Sequence, residues 1–146
     1  MTSEAGRPRR MGRSVVAVLA GFAVVVALSL GTDVAMHAIG IFPRLGDAMS
    51  DALFLLATTY RTVYSVAGSY VTARLAPYRP MAHALAGGGV GIVLSVVGAV
   101  ETRNRGPALG PHWYPLALIV TAMPCAWAGG RLRQWQASKV GNQAVV

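Results

Sequence analysis

The chain has 146 residues and a net charge of +8, and 54% of its residues are hydrophobic while only 12% are charged. Ordinary soluble domains have about 25% charged residues, and the mean hydropathy here is +0.50. This composition excludes an ordinary soluble domain and indicates an integral membrane protein. The single cysteine, Cys125, excludes an intramolecular disulfide and any metal site built from several thiolates.

Four segments of the chain are predicted to cross a membrane. Residues 14–32, 80–100 and 106–130 contain no charged side chain, and a transmembrane helix needs about 20 such residues. Segment 52–73 contains one charged residue, Arg61. We include it, because otherwise a short segment would have to connect opposite faces of the bilayer. The sequence therefore predicts an all-α antiparallel bundle with transmembrane helices over 14–40, 52–74, 80–100 and 111–130.

Residues typical of helix ends lie between these segments. Proline belongs at such ends because it lacks the N–H that a helix interior needs, and prolines stand at positions 43, 77, 80, 107 and 111. The pair Gly129-Gly130 predicts the C-terminal end of the fourth helix. Trp113 and Tyr114 are predicted to lie in the headgroup layer, where amphipathic rings are common. The first apolar segment is too long for a signal peptide and no A-x-A cleavage site follows it, so we expect it to be retained.

The orientation follows from the distribution of basic residues. If the N-terminus is cytoplasmic, nine basic residues lie on the cytoplasmic side and three on the other side, with Arg61 inside the membrane. This positive-inside bias predicts that both termini are cytoplasmic and that the protein resides in the cytoplasmic membrane. We predict a basic cytoplasmic tail over 1–13, a membrane domain over 14–133 and a second cytoplasmic tail over 134–146.

A group of polar residues is predicted inside the membrane. Asp33 and His37 are four residues apart and share one face of the first helix. Polar residues also recur at three- and four-residue spacing along the second helix, at 58, 61, 62, 65, 69 and 72. Such a stripe is expected to face the bundle interior or a small wet cavity. The predicted intramembrane polar site consists of Asp33, His37, Arg61, Thr58 and Ser65.

Asp33 and Arg61 are predicted to form an ion pair, since antiparallel neighbouring helices would place them at similar depth. Such a pair has two interpretations. It can fix the register of two helices without any ligand, or it can belong to a functional polar site, because ionisable residues inside a membrane are functional candidates. No metal site is predicted, because Asp33 and His37 have no evident third ligand.

Two further groups of residues lie near the predicted cytoplasmic turn between the second and third helices. Arg74, Arg79 and His83 are predicted to contact lipid headgroups. Gly87 and Gly91 form a GxxxG pair on the third helix, a pattern that lets helices approach closely. We expect this face to pack within the bundle, with a homo-oligomer or a membrane-protein partner as the alternative.

The segments DVAMHAIGIFP, ATTYRTVYSVAGSYVTARLAPYRPMAHAL and GPHWYPLALIVTAMPCAWAGGRLR together resemble a set of small bacterial four-helix membrane proteins. The resemblance covers most of residues 33–133 and implies a multi-pass fold but no assigned activity. The use of Arg almost to the exclusion of Lys is typical of a GC-rich bacterial genome. The size and helix number are also similar to those of the small multidrug resistance exporters, although the glutamate of their first helix has no counterpart here.

The predicted role is that of a non-enzymatic structural or accessory membrane subunit without a cofactor. The alternative is a small transporter or proton-coupled permease that uses Asp33, His37 and Arg61. No HExxH or GxSxG motif and no pair of neighbouring carboxylates supports an enzyme. Membrane lipids are the expected partners. Nucleic acid is not, because the basic residues lie at the ends of apolar segments and do not alternate with aromatic residues.

Overall fold

The computed structural model describes residues 7–103 and 110–143, with side chains for 11–103 and 110–140. The described chain is all helical. Its four helices are α1 (Arg7–Ala38), α2 (Asp51–Leu75), α3 (Pro80–Thr102) and α4 (Trp113–Gln143). Arg105 and Pro107, which entered the predictions of orientation and helix ends, lie outside the described residues, as do positions 1–6 and 144–146 of the predicted tails.

Helix α2 lies at the centre of the bundle. It packs extensively against α1 and α4 and also contacts α3, while α3 packs mainly against α4. Because α2 has neighbours on three sides, its hydroxyl side chains and Arg61 can face the other helices. The polar stripe of α2 therefore agrees with its position in the fold.

Glycines allow the helices to approach closely. A β-carbon on Gly68 of α2 would lie 2.6 Å from the Gly21 carbonyl oxygen of α1, and one on Gly129 of α4 would lie 2.5 Å from the Val66 carbonyl oxygen. A β-carbon on Gly88 of α3 would lie 2.6 Å from that of Ala126. Each contact is too short for a side chain, so the bundle packs by the small-residue mode that is common in membranes.

Among the described residues, three helical segments are long and apolar enough to cross a membrane, namely Met11–Ala38, Pro80–Thr102 and Trp113–Val140. Large apolar side chains on their outer surfaces are exposed; Val34 and Val120 retain 69% and 72% of their accessible surface. Exposed apolar area on this scale is typical of a surface that meets lipid. The chain is therefore a multi-pass helical membrane protein.

Two helix ends differ from the sequence predictions. Helix α4 does not end at Gly129-Gly130 but continues to Gln143, because these glycines provide close packing and not a C-terminal cap. Gly129 contacts α2, and a β-carbon on Gly130 would lie 2.8 Å from the sulfur of Met81. Helix α1 begins at Arg7, inside the segment predicted as a tail. It ends at Ala38, just before Gly40, whose φ is +76°.

Candidate intramembrane site

The ion pair predicted between α1 and α2 is present. Arg61 Nη2 donates a hydrogen bond to Asp33 Oδ2 across 2.5 Å. The Arg61 and Asp33 side chains retain 28% and 21% of their accessible surface, so the pair is largely buried. Opposite charge and matching depth, both readable from the sequence, account for this contact.

Two tyrosines extend the pair into a network that joins three helices. The Tyr60 hydroxyl of α2 donates to Asp33 Oδ1, so both carboxylate oxygens have a donor. Arg61 Nη1 donates to the Tyr114 hydroxyl of α4, and the Tyr114 ring centroid lies 5.7 Å from the guanidinium carbon. The Nε of Arg61 is buried and has no hydrogen-bond partner among the described residues. The network thus connects α1, α2 and α4 but leaves one buried donor unpaired.

The sequence prediction missed both tyrosines. Tyr60 and Tyr64 are four residues apart on the face of α2 that meets α1, where Tyr64 shares a hydrogen bond of 2.8 Å with the Thr32 hydroxyl. Tyr60 and Tyr64 have the same four-residue spacing that identified Asp33 and His37. Counting tyrosine as a polar residue could therefore have found this pair. Tyr114 was assigned only to the headgroup layer.

The side chains of the other predicted members of the polar site form hydrogen bonds with backbone carbonyl oxygens. His37 Nδ1 lies 2.7 Å from the Asp33 carbonyl oxygen, and its ring packs edge-on against Phe42. The buried Thr58 hydroxyl donates to the Phe54 carbonyl oxygen. The Ser65 hydroxyl donates to the Arg61 carbonyl oxygen. Among these residues only Asp33 and Arg61 join their side chains directly.

The residues predicted to contact headgroups differ in exposure. Arg74 and Arg79 are exposed, and Arg74 lies 3.3 Å from the Tyr70 hydroxyl. His83 is buried, and its ring packs edge-on against that of Tyr78. Headgroup contact stays a prediction for these residues.

A cavity of about 960 Å³ opens beside Arg61 and is lined by residues of all four helices. On α1 its lining runs from Val18 to Leu30, which corresponds to roughly 18 Å along the helix axis. One end is lined by Arg103 and His112, next to the α3–α4 connection, and the other by Gly21, Thr72 and Gly87. Gly21 and Thr72 are in close contact there. Because the α1 and α2 backbones touch there, we call this the narrow end of the cavity and the end at Arg103 and His112 the wide end.

Hydroxyl groups from three helices line the cavity at similar depth. Ser29 lies eight residues beyond Gly21 on α1, Ser65 seven residues before Thr72 on α2, and Ser95 eight residues beyond Gly87 on α3. A rise of 1.5 Å per residue places all three roughly 10–12 Å from the narrow end of the cavity. We call Ser29, Ser65 and Ser95 the hydroxyl tier. Arg61 lies one helical turn farther from the narrow end.

The small-residue face of α3 borders this cavity. A β-carbon on Gly87 would lie 3.9 Å from the Thr72 hydroxyl oxygen, whereas β-carbons on Gly91 and Gly98 would have nothing within 4 Å. All three glycines line the cavity. Their missing side chains provide part of its volume, and whether Gly87 and Gly91 also meet a partner stays a prediction.

Within the described residues, no group of three or more His, Cys, Asp or Glu side chains could hold a metal ion. No family model, curated protein or solved structure matches the chain. A role for the chain therefore has to come from its own residues.

Proposed function

We propose that the chain is a four-span protein of the cytoplasmic membrane, with both termini cytoplasmic, and that it acts as a small transporter. The fourth span is α2, whose 25 residues would extend roughly 37 Å at 1.5 Å per residue. Its single charge near the middle, Arg61, is paired with Asp33, which reduces the cost of placing it in a bilayer. The basic residues of the sequence support the orientation.

The observation that carries this proposal is the cavity beside Arg61. Its volume of about 960 Å³ is near the upper end of the range for ligand sites, about 300–1,000 Å³. In the proposed topology, Arg103 and His112 lie on the outer side, so the wide end faces outward and the narrow end inward. A helix bundle that needed only to be stable would gain dispersion energy by filling this volume.

Transport requires the narrow, inner end of the cavity to open when the wide, outer end is closed. The barrier on that side is the contact of Gly21 with Thr72, where α1 crosses α2. The Asp33–Arg61 pair joins the same two helices nearer the outer side. In our proposal α1 moves relative to α2 about these contacts, in the manner of alternating access. His37 follows Asp33 by one turn of α1.

Accessibility to a membrane-impermeant thiol reagent tests the proposal. In a chain with Cys125→Ala, Ser95→Cys places a thiol in the cavity, and Gly89→Cys places one on the same helix outside the lining. Reagent added to the outer side of intact cells is expected to label position 95 and not position 89. Equal labelling at both positions, or none at 95, would contradict an outward-facing cavity.

A non-enzymatic structural or accessory subunit is the second candidate, and the pairing of Asp33 favours it. Both carboxylate oxygens accept hydrogen bonds, from Tyr60 and Arg61, so the carboxylate needs no ligand. A buried pair of this kind can act only to fix helix register. Replacing Asp33 and Arg61 together with leucine separates the candidates, because a register device would keep its cellular role and a transporter would lose it.

A further inference from the structure

Among the described lining residues, none places an uncompensated charge in the interior of the cavity. Arg61, Arg103 and His112 are the lining residues that can be cationic, and no acidic side chain is among the described lining residues. Arg61 is paired with Asp33, while Arg103 and His112 lie at the wide end and are exposed. An ion inside the cavity would therefore lose hydration without gaining a counter-charge.

Most of the wall is apolar. Side chains from three helices form it, with Val25 and Val26 from α1, Leu94 from α3, and Leu118 and Ile119 from α4. A surface of this kind takes up hydrocarbon, since burial of apolar area is favourable when water is displaced. The wall thus favours a ligand with a large apolar part.

Two members of the hydroxyl tier, Ser29 and Ser95, can donate hydrogen bonds to a ligand, whereas the Ser65 hydroxyl already donates to the Arg61 carbonyl oxygen. Ser29 is 91% buried, and neither its hydroxyl nor that of Ser95 has a hydrogen-bond partner among the described residues. Both residues line the cavity. An entirely apolar occupant would offer neither group a partner, whereas an occupant with a polar group at this depth can bond to both, so these serines favour the latter.

We propose that the cavity binds a neutral, mainly apolar molecule with a hydroxyl or carbonyl group. This inference rests on the proposed function and names the class of its ligand. The polar group lies at Ser29 and Ser95, and the apolar part extends along α3 and α4 toward the wide end. Neutrality follows from the paired state of Arg61, and the hydrogen-bonding group follows from the free serine hydroxyls.

Photocrosslinking in vesicles of phosphatidylethanolamine and phosphatidylglycerol tests the ligand class. Three probes share one diazirine-bearing hydrocarbon chain and end in an alcohol, a carboxylate or a methyl group. The alcohol is expected to crosslink most strongly at Leu118 and Ile119, relative to the lipid-exposed Val63. The inference is contradicted if the carboxylate probe or the methyl probe crosslinks at these positions as strongly as the alcohol, or more strongly.

Glycine variants show whether the crosslink arises in the cavity. Gly91→Leu fills the cavity without an existing neighbour to displace, whereas Gly89→Leu has equal room but does not line it. We expect Gly91→Leu to abolish crosslinking of the alcohol at Ile119 and Gly89→Leu to leave it unchanged. Equal effects of the two variants would overturn the assignment of the site.

Serine variants test the hydrogen bond. Ser29→Ala and Ser95→Ala are each expected to weaken binding of the alcohol about 2- to 10-fold, the effect of one neutral hydrogen bond. Binding of the methyl probe should not change. A parallel loss for both probes would show that the serines only shape the cavity and would refute the proposed contact.

The thiol experiment distinguishes the two proposals. Labelling of Ser95→Cys without selective binding of the alcohol would leave the outward-facing cavity in place and reject the ligand class. Absence of labelling would reject the proposed function, and with it the inference that depends on it.

Discussion

The Gly68 backbone of α2 lies so close to the Gly21 backbone of α1 that a β-carbon on Gly68 would lie 2.6 Å from the Gly21 carbonyl oxygen. Conversely, a β-carbon on Gly21 of α1 would overlap the Thr72 hydroxyl of α2. The two helices therefore meet backbone to backbone at this level. The same contact lies at the narrow end of the cavity.

Replacing Gly21 with alanine is expected to destabilise the bundle. Helix propensity favours alanine over glycine by about 1 kcal/mol, but overpacking costs about 1–3 kcal/mol, and the overlap with Thr72 involves a buried side chain. Thermal unfolding in detergent should show a lower Tm. Gly31→Ala on the same helix is the control, since nothing lies within 4 Å of it; a Tm loss as large as that of Gly21→Ala would contradict the close crossing.

The tyrosines of the network should contribute to stability through their hydroxyls. Tyr60→Phe and Tyr114→Phe each remove a hydrogen bond with a charged partner, and such bonds contribute about 1.5–3 kcal/mol. Both variants should lower the free energy of unfolding. Tyr78→Phe provides the control, because Tyr78 is exposed and has no hydrogen bond within the described residues. If all three variants have the same free energy of unfolding, the hydrogen bonds of the Tyr60 and Tyr114 hydroxyls do not contribute to stability.

The ion pair was predictable because two regularities of the sequence suffice for it. Helical spacing places Asp33 on one face of its helix, and the cost of a lone charge in a membrane requires a partner for Arg61. Tyr60 and Tyr114 were not predicted, because their rings suit apolar or interfacial positions as well as polar ones. Only the packing of α4 beside α2 determines that Tyr114 meets Arg61.

The stripe of α2 allowed for a small cavity, but the volume of the cavity and the end of α4 could not be derived from the sequence, for a related reason. A glycine serves a helix end, a close crossing or an open space equally well, and the neighbouring helix decides between these roles. Gly129 meets α2 and continues the helix, whereas Gly91 meets nothing and leaves volume.

Reporter fusions test the proposed orientation. Gly46 lies between α1 and α2, and Pro77 between α2 and α3. A phosphatase reporter that is active only outside the cytoplasm should be active after Gly46 and inactive after Pro77, since basic residues concentrate on the cytoplasmic side. Activity at both positions would mean that α2 does not cross the membrane.

Asp33→Asn should be among the most destabilising single changes in the chain. It leaves the largely buried Arg61 guanidinium without a counter-charge. Breaking a buried pair in this way costs about 3–5 kcal/mol. Asp47→Asn is the matched control, because Asp47 is exposed in the connection between α1 and α2. Unfolding in detergent measures both, and comparable stabilities would show that the Asp33–Arg61 contact is energetically silent.

The double change Asp33→Leu/Arg61→Leu is expected to recover much of the stability that either single change loses. Arg61→Leu alone leaves the carboxylate uncompensated, whereas two leucines need no partner. The coupling measured by this double-mutant cycle should therefore be large, since residues in direct contact do not behave additively. Additive effects would contradict the direct contact. The same variant then decides between the two candidate roles: a folded and inserted double mutant that retains the cellular role supports a register device, and one that loses it supports transport through the cavity beside Arg61.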